Sequence, residues 1–176
     1  MSPKNHRSKK SRTTRSAAGA GARHPLGRRS RERIGEVLVA RLADALDLQS
    51  QTKQAHWNAI GPNFIALHEL FDVIAGEIAL QADTLAERAV TLGAWAPGSS
   101  RAVAKASSLP DLAGGRRDGL AFAADLADRL GRHAGQLRDA IEVAEKEGDA
   151  VSADLFTQMA AEVEKRLWFL ESHLES

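Results

Sequence analysis

At 176 residues, with 43% apolar side chains, no Tyr and no Cys, the composition allows one domain with a substantial core and excludes disulfides and thiolate metal sites. The scarcity of β-branched runs favours helix over sheet, no apolar run approaches the ~20 residues that span a bilayer, and the absence of Cys fits a reducing cytosol. The net charge of +1 conceals a split: residues 1–31 hold ten Lys or Arg and no acid, leaving 14 basic against 23 acidic side chains in the other 145, a net of −9.

Residues 1–30 are rich in Ser, Arg, Lys, Gly and Ala, with Leu26 the only large aliphatic after Met1. Such a segment buries too little surface to offset ordering, so it is expected to be a disordered basic arm ahead of a domain at 31–176. Lys4, Arg7, Lys9, Lys10, Arg12, Arg15, Arg23, Arg28 and Arg29 suit the phosphates of double-stranded DNA. Without aromatics to stack or a groove-reading helix, such binding has little sequence preference and weakens as salt rises. Two plainer readings stand beside it, a solubilising tail and an organellar transit peptide. His6 and His24 are expected to be solvated.

The first helix is expected after Ser30, a good N-cap, with Glu32 in its first turn. Ile34, Val37, Leu38, Leu42, Ala45, Leu46 and Leu48 keep a three/four spacing that continues to about Asn58, with His56 near the end. Gly61 and Pro62 break the chain. A second helix over about 63–92 buries Phe64, Leu67, Leu70, Phe71, Ile74, Ile78, Leu80 and Leu85. Residues 93–117 form a long connection punctuated by Gly93, Pro97, Pro110 and Gly114, with a short helix over 99–107. A third helix, about 118–146, carries the stripe Leu120, Ala124, Ala127, Leu130, Ala134, Leu137 and Ile141; His133 on it reads as surface or structural. A fourth helix begins near Ser152 and uses Leu155, Met159, Val163, Leu167, Leu170 and Leu174, with Trp168 and Phe169 as packing residues. The fold class is all-α: a four-helix bundle with one long crossover.

Two imidazoles and three carboxylates gather between Thr52 and Gly93: His56, His68, Asp72, Asp83 and Glu87. His68 and Asp72 are one helical turn apart, as are Asp83 and Glu87, and all four share a stripe. Eleven residues at 1.5 Å each leave roughly 16 Å between Asp72 and Asp83, too far for one ion. The positions nevertheless pair about one midpoint, between Glu77 and Ile78: 68 with 87, and 72 with 83. Two antiparallel copies of the helix would bring each His68/Asp72 pair to the other copy's Asp83/Glu87, making two equivalent sites about a two-fold axis. Ala75, Gly76, Ala79 and Ala82 are small enough for such a crossing. The alternative is a set of solvated or salt-bridged acids at ordinary helical spacing. Glu77 lies near the crossing but is not assigned as a ligand. The metalloprotease His-Glu-x-x-His is absent, since Asp72 follows His68-Glu69, and no Glu-x-x-His is present to build a di-iron site within one bundle.

The segments Thr52 to Asn58, Phe64 with His68 and Asp72, Asp83 to Arg88, and Leu167 to Glu171 together resemble the Dps family, the DNA-protection-during-starvation proteins or mini-ferritins. The resemblance covers roughly 35–175. It implies a ferritin-like four-helix bundle assembled as a homo-dodecamer, with a two-iron ferroxidase site shared between two subunits. His56, His68 and Asp72 would come from one subunit, Asp83 and Glu87 from its mate. Asp83, Glu87 and His56 would hold the tighter iron, His68 and Asp72 the second. In such proteins Fe(II) is oxidised, preferentially by hydrogen peroxide, and ferric mineral collects in the cavity. Trp57, beside a ligand, would absorb stray oxidising equivalents or simply pack. Asp149 and Asp154 lie where the family lines its iron pores with acids, with helix capping by Asp149 as the other reading. The acidic body attracts Fe(II) and repels DNA, so DNA binding would fall to the arm and the protein would be cytoplasmic and nucleoid-associated. The rival functions are a non-enzymatic nucleoid-condensing protein and an iron store without a DNA role.

Overall fold

The computed structural model describes residues 23–175. Its elements are α1 (Arg28–Asn58), β1 (Ala59–Ile60), α2 (Phe64–Thr91), α3 (Ser100–Ala106), β2 (Arg117–Asp118), α4 (Gly119–Lys146) and α5 (Ala150–Leu174). The helix α1 packs along α2, and α4 along α5; the two pairs close into an antiparallel bundle, with α3 lying against α1. The core is filled by Phe71, Phe122 and Phe156 together with Ile34, Leu38, Leu48, Leu67, Ile74, Leu85, Leu126, Leu130 and Leu137, all essentially inaccessible. Each such side chain contributes about 1.5–3 kcal/mol by leaving water.

The crossover from α2 to α4 is held by polar groups that α1 and α4 point into it. Asp44, buried, accepts from the Ser108 amide (2.8 Å) and hydroxyl (3.0 Å), and the Ser107 hydroxyl donates to Asp47 (2.5 Å). Gln51 donates to the Pro110 carbonyl (3.2 Å) and accepts from Arg129 Nε (2.7 Å), while Arg129 also donates to the Asp111 carbonyl (2.5 Å). The crossover ends in a parallel bridge, unforeseen from the sequence, that pairs Ala59 with Arg117 and Ile60 with Asp118. Small residues permit that approach. Gly61 takes φ +110°, and a Cβ on it would lie 2.7 Å from the Asp118 carboxylate; a Cβ on Gly119 would lie 2.7 Å from Leu67 Cδ1.

The bundle corrects several expectations. Helix α1 starts at Arg28, not after Ser30; Gly27 occupies the cap position without a side-chain bond. Leu26 already packs against the core, so the chain is committed to the bundle before Ser30 is reached. The part of the basic arm over residues 1–22 lies outside the described residues, whereas 23–30 lead into the helix. Leu80 does not join the core but is 71% exposed, and Trp168 is 60% exposed rather than packed. Helix α5 begins at Ala150, capped by Asp149.

His133, ambiguous in the sequence, is wholly buried, and neither ring nitrogen has a hydrogen-bond partner. Burial pushes its pKa down to about 4, with Asp44 opposing and Arg41 reinforcing the shift. The unfolded chain therefore takes up a proton near 6.5 that the folded chain refuses until about pH 4. Stability from this group is complete above pH 6.5 and falls as pH drops toward 4, by on the order of 3 kcal/mol. Denaturant midpoints across that range should fall less steeply for His133→Leu than for the unaltered protein; parallel curves would contradict this account.

Candidate metal centre

The C-terminal end of α1 and the first turns of α2 meet through two histidines. The His56 and His68 rings stack with centroids 3.7 Å apart and planes 20° off parallel. Each Nδ1 lies against the other residue's backbone carbonyl, His56 Nδ1 at 2.7 Å from the His68 oxygen and His68 Nδ1 at 2.9 Å from the His56 oxygen. A carbonyl only accepts, so both Nδ1 atoms are the donors, and in the neutral tautomer that this selects the lone pair sits on Nε2. This arrangement orients a metal-binding imidazole through its other nitrogen. Phe64, its ring 5.0 Å from that of His68, flanks the pair.

Asp72 follows one turn after His68 and accepts from Lys53 Nζ at 2.6 Å. The hydrogen bond and charge of Lys53 hold its carboxyl below the usual carboxylate range. Lys53 was not singled out in the sequence, although a Lys one turn before a ligand-type His shares its face. Its Nζ also stands 5.8 Å from the Trp57 ring centroid. Trp57 is 67% exposed, which removes simple packing within the chain as its explanation.

Farther along α2, Asp83 and Glu87 are exposed, as is Asp72. Thus the structure joins His56 to His68, sets Asp72 close enough to feel their charge while bonded to Lys53, and leaves Asp83 and Glu87 farther along the helix. Among the described residues no three potential ligands converge within one chain. The same outward face of α2 carries Gly76 and Ala79, whereas Ala75 and Ala82 turn into their own core at 2% and 3% exposure. Of the four small residues expected at a crossing, only Gly76 and Ala79 face outward. They too are centred between Glu77 and Ile78. Glu77 is held by Arg166 of α5 through both carboxylate oxygens, one bond at 2.6 Å.

The two acids expected at a pore have different fates. Asp149 is 3% exposed, accepts from the Ser152 amide and hydroxyl, and receives Arg88 Nη2 at 2.8 Å on both oxygens. Burial by itself raises its pKa, but the Ser152 and Arg88 bonds together outweigh it and keep the carboxyl below its ordinary value. Its role is the cap of α5 and an ion pair to α2, so it is not presented to a pore. Asp154 is exposed and accepts from Gln158 at 2.7 Å. Of the basic residues assigned to DNA, Lys4, Arg7, Lys9, Lys10, Arg12 and Arg15 lie outside the described residues. Arg23 and Arg29 are exposed, and Arg28 pairs with Glu32 at 2.7 Å.

A ferritin-like domain profile matches residues 36–176. A DNA protection during starvation protein of Agrobacterium fabrum is 38% identical over 149 residues, 79% of this chain and 86% of that protein. The chain belongs to the Dps family of ferritin-like proteins. Solved structures agree with this. Dps from Mycobacterium smegmatis superposes with a TM-score of 0.83 at 34% identity, covering 86% of this chain and 93% of its own. A Dps protein from Vibrio cholerae, described as a member of a broad superfamily of ferritin-like diiron-carboxylate proteins, gives 0.84 at 29% identity over 91% of this chain and all of its own. Among the described residues no helix is long and apolar enough to cross a membrane.

The Arg88–Asp149 pair joins α2, one residue beyond Glu87, to the cap of α5. Replacing Arg88 by Met leaves a buried carboxylate unpaired, and should lower unfolding stability by about 3 kcal/mol or more in denaturant titrations.

Proposed function

We propose that the chain is a ferroxidase and iron-storage protein that oxidises Fe(II), preferentially with hydrogen peroxide, at two-iron sites shared between subunits of a dodecameric shell. The observation that carries this reading is the symmetry of the exposed face of α2. His68 pairs with Glu87, Asp72 with Asp83, and Gly76 with Ala79, all about one midpoint. Among the described residues, and apart from its own helix backbone and chain neighbours, nothing comes within 4 Å of a Cβ built on Gly76, which leaves room for a second helix backbone there. Antiparallel pairing through Gly76 and Ala79 places the carboxylates of one copy opposite the two Nε2 lone pairs of the other.

The donor set suits iron as substrate. Imidazole nitrogens hold Fe(II), and carboxylates favour the Fe(III) that forms. Two Fe(II) ions each give one electron to a peroxide; its O–O bond breaks, two protons are taken up and two waters leave. Supplying both electrons at one place avoids releasing a one-electron oxygen fragment. Lys53 neutralises Asp72 until a divalent ion competes. An exposed pair of this kind is worth at most about 1 kcal/mol, so it yields readily. The exposed indole of Trp57 is placed to take stray oxidising equivalents, and Asp154 remains available as an acid along the iron path. A purely architectural nucleoid protein has no use for paired imidazoles with free Nε2 atoms, which disfavours that rival.

Complementation tests the sharing. Chains carrying His56→Ala with His68→Ala, and chains carrying Asp83→Ala with Glu87→Ala, should each lose rapid peroxide-driven Fe(II) oxidation. Random co-assembly of equal amounts should restore about a quarter of the native sites, because half of the pairs are mixed and each mixed pair rebuilds one of its two sites. No recovery in well-formed mixed assemblies sinks the shared site.

The DNA role belongs, in this reading, to the basic residues ahead of α1, acting in the cytoplasm on the nucleoid. Several arms on one particle bind together and gain from avidity. Removing residues 1–22, which spares Leu26 and α1, should abolish duplex-DNA gel shifts at low salt while iron oxidation continues. Retained shifts would move the DNA contact onto the body.

A further inference from the structure

Resting on the shared-site reading, we propose that Trp95 and Val90 of one subunit close over Ile60 and Ile65 of a second copy, forming an apolar clasp that seals each metal site from bulk water. The four side chains are large, apolar and outward, with exposures of 82% for Trp95, 46% for Val90, 39% for Ile60 and 61% for Ile65. On α2 itself Val90 mirrors Ile65 about the point between Glu77 and Ile78, as the candidate ligands do. Going outward along paired helices, the order is Gly76 against Ala79, Asp72 against Asp83, His68 against Glu87, and then Ile65 against Val90. Ile60, in β1, and Trp95, past Gly93, lie just off the two ends of the helix, so that antiparallel pairing carries one copy's Trp95 toward the other's Ile60. Apolar residues thus follow directly beyond the last ligands at both ends.

Both halves of the clasp are held by backbone, which lowers the cost of bringing them together. Gly93, with φ +93°, turns the chain out of α2, and Ala94 seats against α1 so closely that a Cβ on Gly35 would be 3.0 Å from its own. Trp95 therefore projects from a fixed corner. Ile60 is fixed by its pairing with Asp118. A tryptophan on such a corner is the residue type that most often anchors an interface, and a second copy is the one partner whose surface repeats this reflection. Closing it excludes water beside His56 and His68, strengthening the interactions of the charged groups there. It also adds an indole from the partner to the one that Trp57 supplies from the same chain.

The chain has no cysteine, so introduced thiols are the only ones present. The full-length protein carrying Ile60→Cys and Trp95→Cys should form covalent dimers with a short bis-maleimide linker. Gly76→Cys with Ala79→Cys reports helix pairing alone and should also link. Trp95→Cys with Val151→Cys, whose second thiol lies at the start of α5, should not. Linking at 76/79 without linking at 60/95 overturns the clasp and leaves the shared site standing, whereas failure of both removes the shared site and the clasp with it. A protein with Trp57→Phe and Trp168→Phe retains only Trp95, without disturbing the clasp residues. In the assembled state its emission should be blue-shifted and shielded from acrylamide; a red-shifted, freely quenched indole in an intact assembly overturns the proposal.

Discussion

The rise of an α-helix governs this protein. Eleven residues separate Asp72 from Asp83 on α2, and at 1.5 Å per residue that is roughly 16 Å of rigid rod. No rotamer choice brings the two carboxylates onto one ion, and the described chain accordingly gathers no complete ligand set. Everything distinctive about α2 follows from that separation. Its inner face is an ordinary bundle stripe of Leu67, Phe71, Ile74, Ile78 and Leu85, while one outer stripe is small at the centre, polar on either side of it and apolar beyond, at Ile65 and Val90. A helix with a finished core face and an outer stripe that repeats under reflection is the observation on which the proposed pairing with a second copy rests. On the proposed pairing, assembly and metal chemistry become one event.

Within the subunit, the exchanged bonds between His56 and His68 perform two tasks with the same atoms. They satisfy two backbone carbonyls where α1 ends and α2 begins, and they engage both Nδ1 atoms, so that Nε2 is the remaining nitrogen of each ring. The β1–β2 bridge stiffens the same end, tying it to the exit of the crossover. At the opposite end, Arg88 links the last turns of α2 to the cap of α5 through Asp149. The ligand-bearing helix is thus clamped at both ends by polar contacts, while its middle is held by apolar packing and the Glu77–Arg166 fork. Among the buried polar groups, Asp44, Gln51 and Arg129 hold the crossover, Gln81 reaches Glu162 of α5, and Thr52 bonds within α1. His133 is buried without a hydrogen-bond partner, and the loss of solvent disfavours its charged form.

Much of the bundle was legible because its signals are local. Three/four apolar spacing and the Gly61-Pro62 break located four helices to within a few residues. The departures came where contacts distant in sequence overrode a local preference. Ser30 is a good cap by type, but Leu26 had already docked. Leu80 fits an apolar stripe by spacing, yet the arc of α2 that reaches the core is narrower than its apolar residues are numerous. Asp149 could be read as a cap or a pore acid, and only the approach of Arg88 from another helix decided between them.

By itself the sequence determined the helices, the order of the candidate ligands along α2 and the midpoint that relates them, because helical periodicity and rise are properties of the chain alone. The tertiary structure decided which nitrogen of each histidine is free, that Lys53 neutralises Asp72, that Asp149 is a buried cap, and that Gly76 and Ala79 rather than Ala75 and Ala82 face outward. Those outcomes depend on how α1, α4 and α5 approach α2. Packing across a bundle selects one side of a helix, and a linear pattern leaves that choice open.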